Sequence, residues 1–218
     1  MGLDFDEVAV TGLTKSYGAT LALAGIDLRF ASGSTTAILG ANGSGKSTLL
    51  WLLALLSRPT RGNIRYGEYG MDDAAELRGA IGFVAHQLQL YPGLSGLENL
   101  ELSSELYGVA DAPRRIEALE QALGLAEYWT RPLRTYSRGQ AQRIAIARAL
   151  LHSPRLLLMD EPSTGLDEGS TDVLADLLAQ QREAGAITVM VSHEVGFAER
   201  VADRVIRMER GRIRGDQP

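Results

Sequence analysis

A chain of 218 residues with 45% hydrophobic and 22% charged residues has the balance of an ordinary globular protein, which excludes disorder, collagen and coiled-coil compositions. No cysteine is present, so disulfide frameworks and thiolate metal sites are ruled out. With 22 basic against 27 acidic residues the net charge is −5, which disfavours nucleic-acid binding driven by global electrostatics.

The longest apolar run, residues 49–56, falls far short of the ~20 residues a spanning helix needs. Near the N-terminus Gly2, Asp4, Asp6 and Glu7 lack the basic and apolar regions of a secretory signal, so a cytoplasmic protein is expected. The basic residues are biased: 20 are arginine, and the only lysines are Lys15 and Lys46.

Along the chain, Val8-Ala9-Val10 and residues 22–30 carry strand patterns, divided by Gly18 and followed by the turn Ser32-Gly33-Ser34. Residues 35–39 form a short apolar run ending at Gly40, and the pattern predicts a helix over 46–56. The middle, about 88–151, shows helical patterns at 96–107, 112–123 and 140–151 and no convincing strand. A strand returns at 156–159, a helix at 170–183, a strand at 187–192, and residues 205–213 read as a hairpin around Arg210-Gly211. The expectation is one α/β domain over 1–218, with a core from 1–87 and 152–218 and an inserted helical subdomain at 88–151.

Gly40-Ala41-Asn42-Gly43-Ser44-Gly45-Lys46-Ser47 fits the phosphate-loop pattern G-x-x-x-x-G-K-[ST] at every fixed position. Its glycines let successive backbone N–H groups point at phosphate oxygens, and the following helix adds the positive end of its dipole. Lys46 is placed to reach the β- and γ-phosphates, and the Ser47 hydroxyl to ligand Mg²⁺. A chance match in a chain of this length is on the order of 1%. In an arginine-rich chain, a lysine retained here supplies a compact point charge among phosphates.

Leu156-Leu157-Leu158-Met159-Asp160-Glu161 is an apolar strand ending in two carboxylates. Beside a phosphate loop, Asp160 is expected on the Mg²⁺ shell and Glu161 as the general base that polarises the attacking water. In isolation the same run is a core strand ending in an acidic turn. Tyr136-Ser137-Arg138-Gly139-Gln140 puts a hydroxyl and a glycine at a helix N-terminus, either a plain serine cap or an anion site.

With these residues in order, the chain resembles the nucleotide-binding subunits of ATP-binding cassette (ABC) transporters over essentially its whole length. That family follows its phosphate loop with a glutamine-containing loop, an L-S-G-G-Q signature, a strand ending Asp-Glu, an S-A-L-D-like segment and a histidine. Here the matching residues are Tyr136-Ser137-Arg138-Gly139-Gln140, Asp160-Glu161-Pro162-Ser163, Thr164-Gly165-Leu166-Asp167 and Ser192-His193.

The resemblance implies a P-loop NTPase (RecA-like) α/β core with an N-terminal antiparallel β region and an inserted α-helical subdomain. It also implies an ATPase using ATP and Mg²⁺, peripheral on the cytoplasmic face of the cell membrane and partnered by integral permease subunits. Two cassettes stack head to tail, so Ser137, Gly139 and Gln140 would meet the nucleotide on the partner, and Asp167 would cross the interface. His193 would contact the γ-phosphate and join Lys46 and Glu161 in catalysis. Tyr17 fits the residue that stacks on adenine. The loop from Gly40 to Ser47, with Thr48 after it, would hold the phosphates.

Two departures stand out. The position of the loop glutamine falls on His86, with Gln87 one step later; either would contact nucleotide, water or Mg²⁺, and the sequence does not choose. Arg138 replaces the first signature glycine. Val84-Ala85-His86-Gln87, Leu90-Tyr91-Pro92 and Tyr136-Ser137-Arg138-Gly139 are similar to the ATPase of the cytochrome c maturation haem-exporter system. The competing class is a soluble ABC ATPase acting on nucleic acid or the ribosome; those usually carry paired cassettes, long coiled coils or zinc modules, none of which is seen here.

Overall fold

Two sheets with different burial patterns organise the computed structural model, which describes residues 3–217. β1 (Glu7–Tyr17) and β2 (Thr20–Ala31) form a long antiparallel hairpin in which Val8 faces Phe30 and Val10 faces Leu28. Both strands alternate buried and outward residues, as one covered face requires. β3 (Ser34–Leu39) leaves this sheet and leads through the glycine loop to α1 (Lys46–Leu53). β4 (Arg61–Tyr66) returns to the free edge of β1, and β5 (Tyr69–Gly70) completes the order β2-β1-β4-β5.

After a short α2 (Ala74–Leu77), β6 (Ile81–Val84) starts the second sheet's far edge. Three helices follow: α3 (Gly96–Tyr107), α4 (Ala112–Leu123) and α5 (Arg138–Leu150). The chain then alternates through β7 (Leu156–Asp160), α6 (Glu168–Glu183), β8 (Ile187–Val191), α7 (Val195–Val201), β9 (Arg204–Glu209) and β10 (Arg212–Gln217). The sheet order is β10-β9-β3-β8-β7-β6, parallel except for β10.

Both faces of this sheet are covered, which is why β7 and β8 read as nearly continuous apolar runs. Ile38, Leu156, Leu158, Val189 and Val191 pack with α1 and the antiparallel sheet. Ala37, Leu39, Leu157, Met159 and Met190 pack on the opposite side with α3 to α7. Arg155 joins the sheets at one end. Its guanidinium donates to the carbonyls of Phe5 (2.8 Å) and Gly185 (2.7 Å) and to Ser32 Oγ (3.0 Å), and it pairs with Asp4 and Asp6.

The predicted helices at 96–107 and 112–123 match α3 and α4. The helix expected over 46–56 ends at Leu53, where the chain turns through Leu55 in the left-handed region (φ 57°). No glycine or proline marks that end, because the apolar run continues past it. α5 starts two residues earlier than expected, capped by Ser137, and α6 starts at Glu168, capped by Asp167. β4, β5, β6 and α7 are additions to the elements the sequence pattern indicates. Among the described residues no helix is long and apolar enough to cross a membrane.

Candidate functional site

The phosphate-loop residues form the turn between the carboxyl end of β3 and α1, the position at which open parallel sheets take their ligands. Gly40 (φ 156°) and Gly45 (φ 104°) cannot be replaced without strain. A Cβ on either falls inside 3.0 Å of a fixed backbone carbonyl, Met208's and Ala22's respectively. The carbonyl of Ser44 also accepts from Gly211 N at 2.9 Å. The terminal hairpin β9–β10 and the start of β2 therefore brace the loop, a role nothing in the local sequence reveals.

Lys46 is 5% exposed, and its ammonium donates to the loop's own carbonyls at Gly40 (2.7 Å) and Ala41 (3.0 Å). Burial pushes its pKa down, against the opposing pull of the Glu161 and Asp160 charges. Ser44 Oγ is buried with no partner, so the loop holds a polar atom that a ligand can satisfy.

Asp160 closes β7 at 6% exposure. Glu161 follows with φ 56°, an uncommon conformation for a residue with a side chain, and its N–H donates to the Val191 carbonyl at 2.9 Å. Its Oε2 accepts from the backbone N–H of His193 at 3.0 Å. Its Oε1 lies 3.1 Å from His193 Nε2, near enough to pair but without the alignment of a hydrogen bond. Burial raises the Glu161 carboxyl above the ordinary range. The His193 N–H and ring pull it back, Asp160 pushes it further up, and Lys46 draws it down.

These groups share one open cleft of about 1100 Å³. Asn42, Gly43, Gly45, Lys46, Ser47 and Thr48 form its floor, with Gly40, Ala41 and Ser44 completing the loop behind them. Asp160, Glu161 and His193 stand on one side, Tyr17 on another, and both His86 and Gln87 lie exposed on its wall. Lys15 Nζ sits 4.9 Å from the Tyr17 ring centroid and donates to the Arg58 carbonyl at 2.7 Å. Leu21, Trp51 and Leu56 also line the cleft. Their exposure went unread because they sit inside strand and helix runs that look like core.

The oxygens of Ser47 and Asp160, with the amide of Gln87 nearby, are the hard donors Mg²⁺ prefers. So few protein oxygens suit an ion completed by water and phosphate rather than an all-protein cage. No group of three or more His, Asp or Glu placed to hold a metal occurs among the described residues.

Ser137, Gly139, Gln140 and Asp167 lie outside this cleft. Ser137 Oγ accepts from Gln140 N (3.2 Å) and Gln140 Oε1 accepts from Ser137 N (3.0 Å), a reciprocal cap on α5. Gly139 presses on the Gly165 carbonyl, where a Cβ would fall inside 3.0 Å. The stem of Arg138 covers Gly165, so the departure from the signature glycine packs without displacing the helix. Asp167 Oδ1 accepts from Ser170 N at 2.8 Å, and that bond holds its carboxyl below the usual range.

The family model described as ABC transporter matches residues 23–164. The chain is 37% identical to the arginine transport ATP-binding protein ArtP of Haemophilus influenzae, covering 94% of this chain and 90% of that protein. It is 40% identical to the lipoprotein-releasing system ATP-binding protein LolD of Anaeromyxobacter dehalogenans, covering 97% and 94%. It is also 40% identical to the aliphatic sulfonates import ATP-binding protein SsuB 3 of Pseudomonas syringae pv. tomato, covering 94% and 74%. Among solved structures, the dimeric bacterial cassette MJ0796 superposes with a TM-score of 0.85 at 30% identity, over 96% of this chain and 97% of that one. Its post-hydrolysis form bound to ADP and phosphate gives the same TM-score at 31% identity. The α/β fold and the phosphate loop thus agree with all three comparisons, and the chain belongs to the ABC transporter family as an ATP-binding ATPase subunit.

Proposed function

We propose that the chain binds Mg²⁺–ATP in the cleft above α1 and hydrolyses it to drive integral permease subunits, two copies stacking head to tail around the nucleotides. The observation that carries this reading is the Glu161–His193 contact facing the buried ammonium of Lys46 across one cleft. On binding, Lys46 would exchange the carbonyls of Gly40 and Ala41 for phosphate oxygens, while the loop N–H groups cradle the chain of phosphates. Ser47 and Asp160 would hold Mg²⁺, which neutralises developing charge on the phosphates. Glu161 takes the proton from the attacking water, and its raised pKa suits that task. His193 orients the carboxylate through its N–H and faces the terminal phosphate. Tyr17 offers its exposed ring to adenine, and His86 or Gln87 reaches water or metal from the cleft wall.

Ser137, Gly139, Gln140 and Asp167 serve the partner copy's nucleotide, which accounts for their absence from their own cleft. In this reading residues 88–151 are the signature-bearing helical unit of the single domain, and they meet the permease on the cytoplasmic face of the membrane. Haem export in cytochrome c maturation is the cargo reading favoured by the His86-Gln87 and Tyr136–Gly139 segments. The relatives named above serve arginine, sulfonate and lipoprotein systems at comparable identity, so cargo is decided by the permease.

The test is mass spectrometry of what co-purifies with the tagged protein from gently extracted native membranes. A stoichiometric polytopic partner supports the transporter reading, and its identity decides the haem assignment. Recovery of ribosomes or nucleic acid alone overturns it.

A further inference from the structure

Gln142 lies in the second turn of α5 and is 2% exposed. Its Nε2 donates at 3.0 Å to the carbonyl of Pro162, the residue that follows Glu161. No other hydrogen bond reaches that carbonyl among the described residues. A core position filled only for packing would be apolar, because an amide buried without its partner is costly. Here the polar group is retained and aimed at the backbone that carries the carboxylate.

Three restraints hold Glu161 in its left-handed conformation. Its N–H is anchored in β8 through Val191, and its carbonyl accepts from Thr164 within the turn. The third, Gln142, is anchored in α5. The same helix is joined to the loop again where Gly139 presses on the Gly165 carbonyl and where the Arg138 stem covers Gly165. The first two turns of α5 and the segment 161–167 are thus fastened at three points. Ser137 stands at the exposed tip of that helix.

We infer that Gln142 is a positioning residue that carries the occupancy of the partner's nucleotide site, felt at Ser137 and Gly139, to the carboxylate of Glu161. This inference rests on the head-to-tail reading above. A phosphate drawing on the tip of α5 shifts the Pro162 carbonyl through Gln142 and resets Glu161 against His193. Each site then reaches full activity only when the other is filled, a coupling between sites.

The test is steady-state hydrolysis by the full chain as a function of ATP, with Gln142→Met removing the donor at nearly constant length. The expected result is a loss of kcat of about tenfold and a Hill coefficient falling from about two toward one. ATP affinity, followed through Trp51 fluorescence, should stay within about twofold, since Gln142 does not line the cleft. Gln142→Glu adds a signature that packing alone does not produce. Only its protonated form donates to Pro162, so its activity relative to wild type should rise as pH falls from 8 to 6, burial having raised its pKa. Should Gln142→Met fail to fold, the pH dependence of Gln142→Glu decides in its place.

A cooperative wild type whose cooperativity survives Gln142→Met, or a Gln142→Glu activity that does not rise relative to wild type toward pH 6, overturns the inference alone. A wild-type Hill coefficient of one overturns the head-to-tail reading and the inference with it.

Discussion

Lys46→Met separates binding from stability, because the same buried ammonium acts on them in opposite directions. In the fold Lys46 is 5% exposed, and its pKa is lowered mainly by burial despite the nearby charges of Glu161 and Asp160. The charged form is therefore less favourable in the fold than in water. Wild-type stability should rise with pH from the lowered folded pKa toward 10.5, and the variant should lack that slope. Methionine fills the same volume without the desolvation cost, so the nucleotide-free variant should be at least as stable as wild type. On ATP, one or two charge-assisted hydrogen bonds are lost, together about 2–5 kcal/mol, or roughly 30-fold to several thousand-fold in affinity. At ATP 100 times the wild-type Kd, ligand linkage is about 2.7 kcal/mol, a rise in Tm of roughly 5–10 °C of which the variant should keep at most about a third. Trp51 lines the cleft and reports binding, and thermal unfolding with and without ATP reports the rest. A variant that keeps the ATP-induced rise, or whose nucleotide-free Tm drops by more than a few degrees, would refute the account of Lys46.

Other expectations are smaller in scope. Glu161→Gln should retain ATP and stop turnover, while wild-type turnover should increase with pH through the raised pKa of the carboxyl; equal turnover by the two proteins removes Glu161 as the base. The folded group holds its proton after the unfolded one has lost it at about 4.5, so its presence costs stability above that pH. Glu161→Gln should therefore raise Tm at neutral pH and lose that advantage near pH 4.5, as a pH series of melts would show. Tyr17→Ala should weaken ATP by about 1–3 kcal/mol of stacking but leave inorganic triphosphate binding unchanged, with Tyr17→Phe near wild type in competition titrations. Arg155→Leu should cost about 2–4 kcal/mol of stability, since it unfastens the two sheets, without altering ATP affinity in the folded protein.

How much of this was legible depends on where the determining contacts lie along the chain. α3 and α4 were readable because their ends are written locally. Ser95 and Glu98 cap the first, and Gly108 and Gly124 close the two helices in the left-handed conformation. β4 escaped notice because Arg-Gly-Asn-Ile-Arg-Tyr buries only Ile64 and Tyr66, and α7 because seven residues with no side-chain cap carry little periodicity. The same division runs through the site. Lys46 follows from the fixed spacing of the phosphate loop and Asp160-Glu161 from an apolar strand ending in carboxylates beside it, whereas His193 is singled out only by the family resemblance. The bracing of Gly40 by Met208, the tilt of Glu161 into the left-handed region and the Gln142–Pro162 bond join residues far apart or conformations no residue type announces.

The geometry of one chain also explains why a second copy belongs in the proposed reaction. Hydrolysis by Glu161 needs a water held between carboxylate and phosphate with bulk solvent kept out, since exclusion of solvent strengthens each charge interaction. The cleft of about 1100 Å³, lined by His86, Gln87 and Tyr17 among others, is open to solvent, with no segment closing it among the described residues. Ser137, Gly139 and Asp167 meanwhile stand outside it, Ser137 and Asp167 capping their own helices and the positive end of α5 lying beside Ser137 and Gly139. An open phosphate site and an anion-seeking helix end that is not part of it are complementary surfaces. A head-to-tail pair, as proposed above, would bring each onto the other, so that closing over ATP and assembling the catalytic water would be the same event.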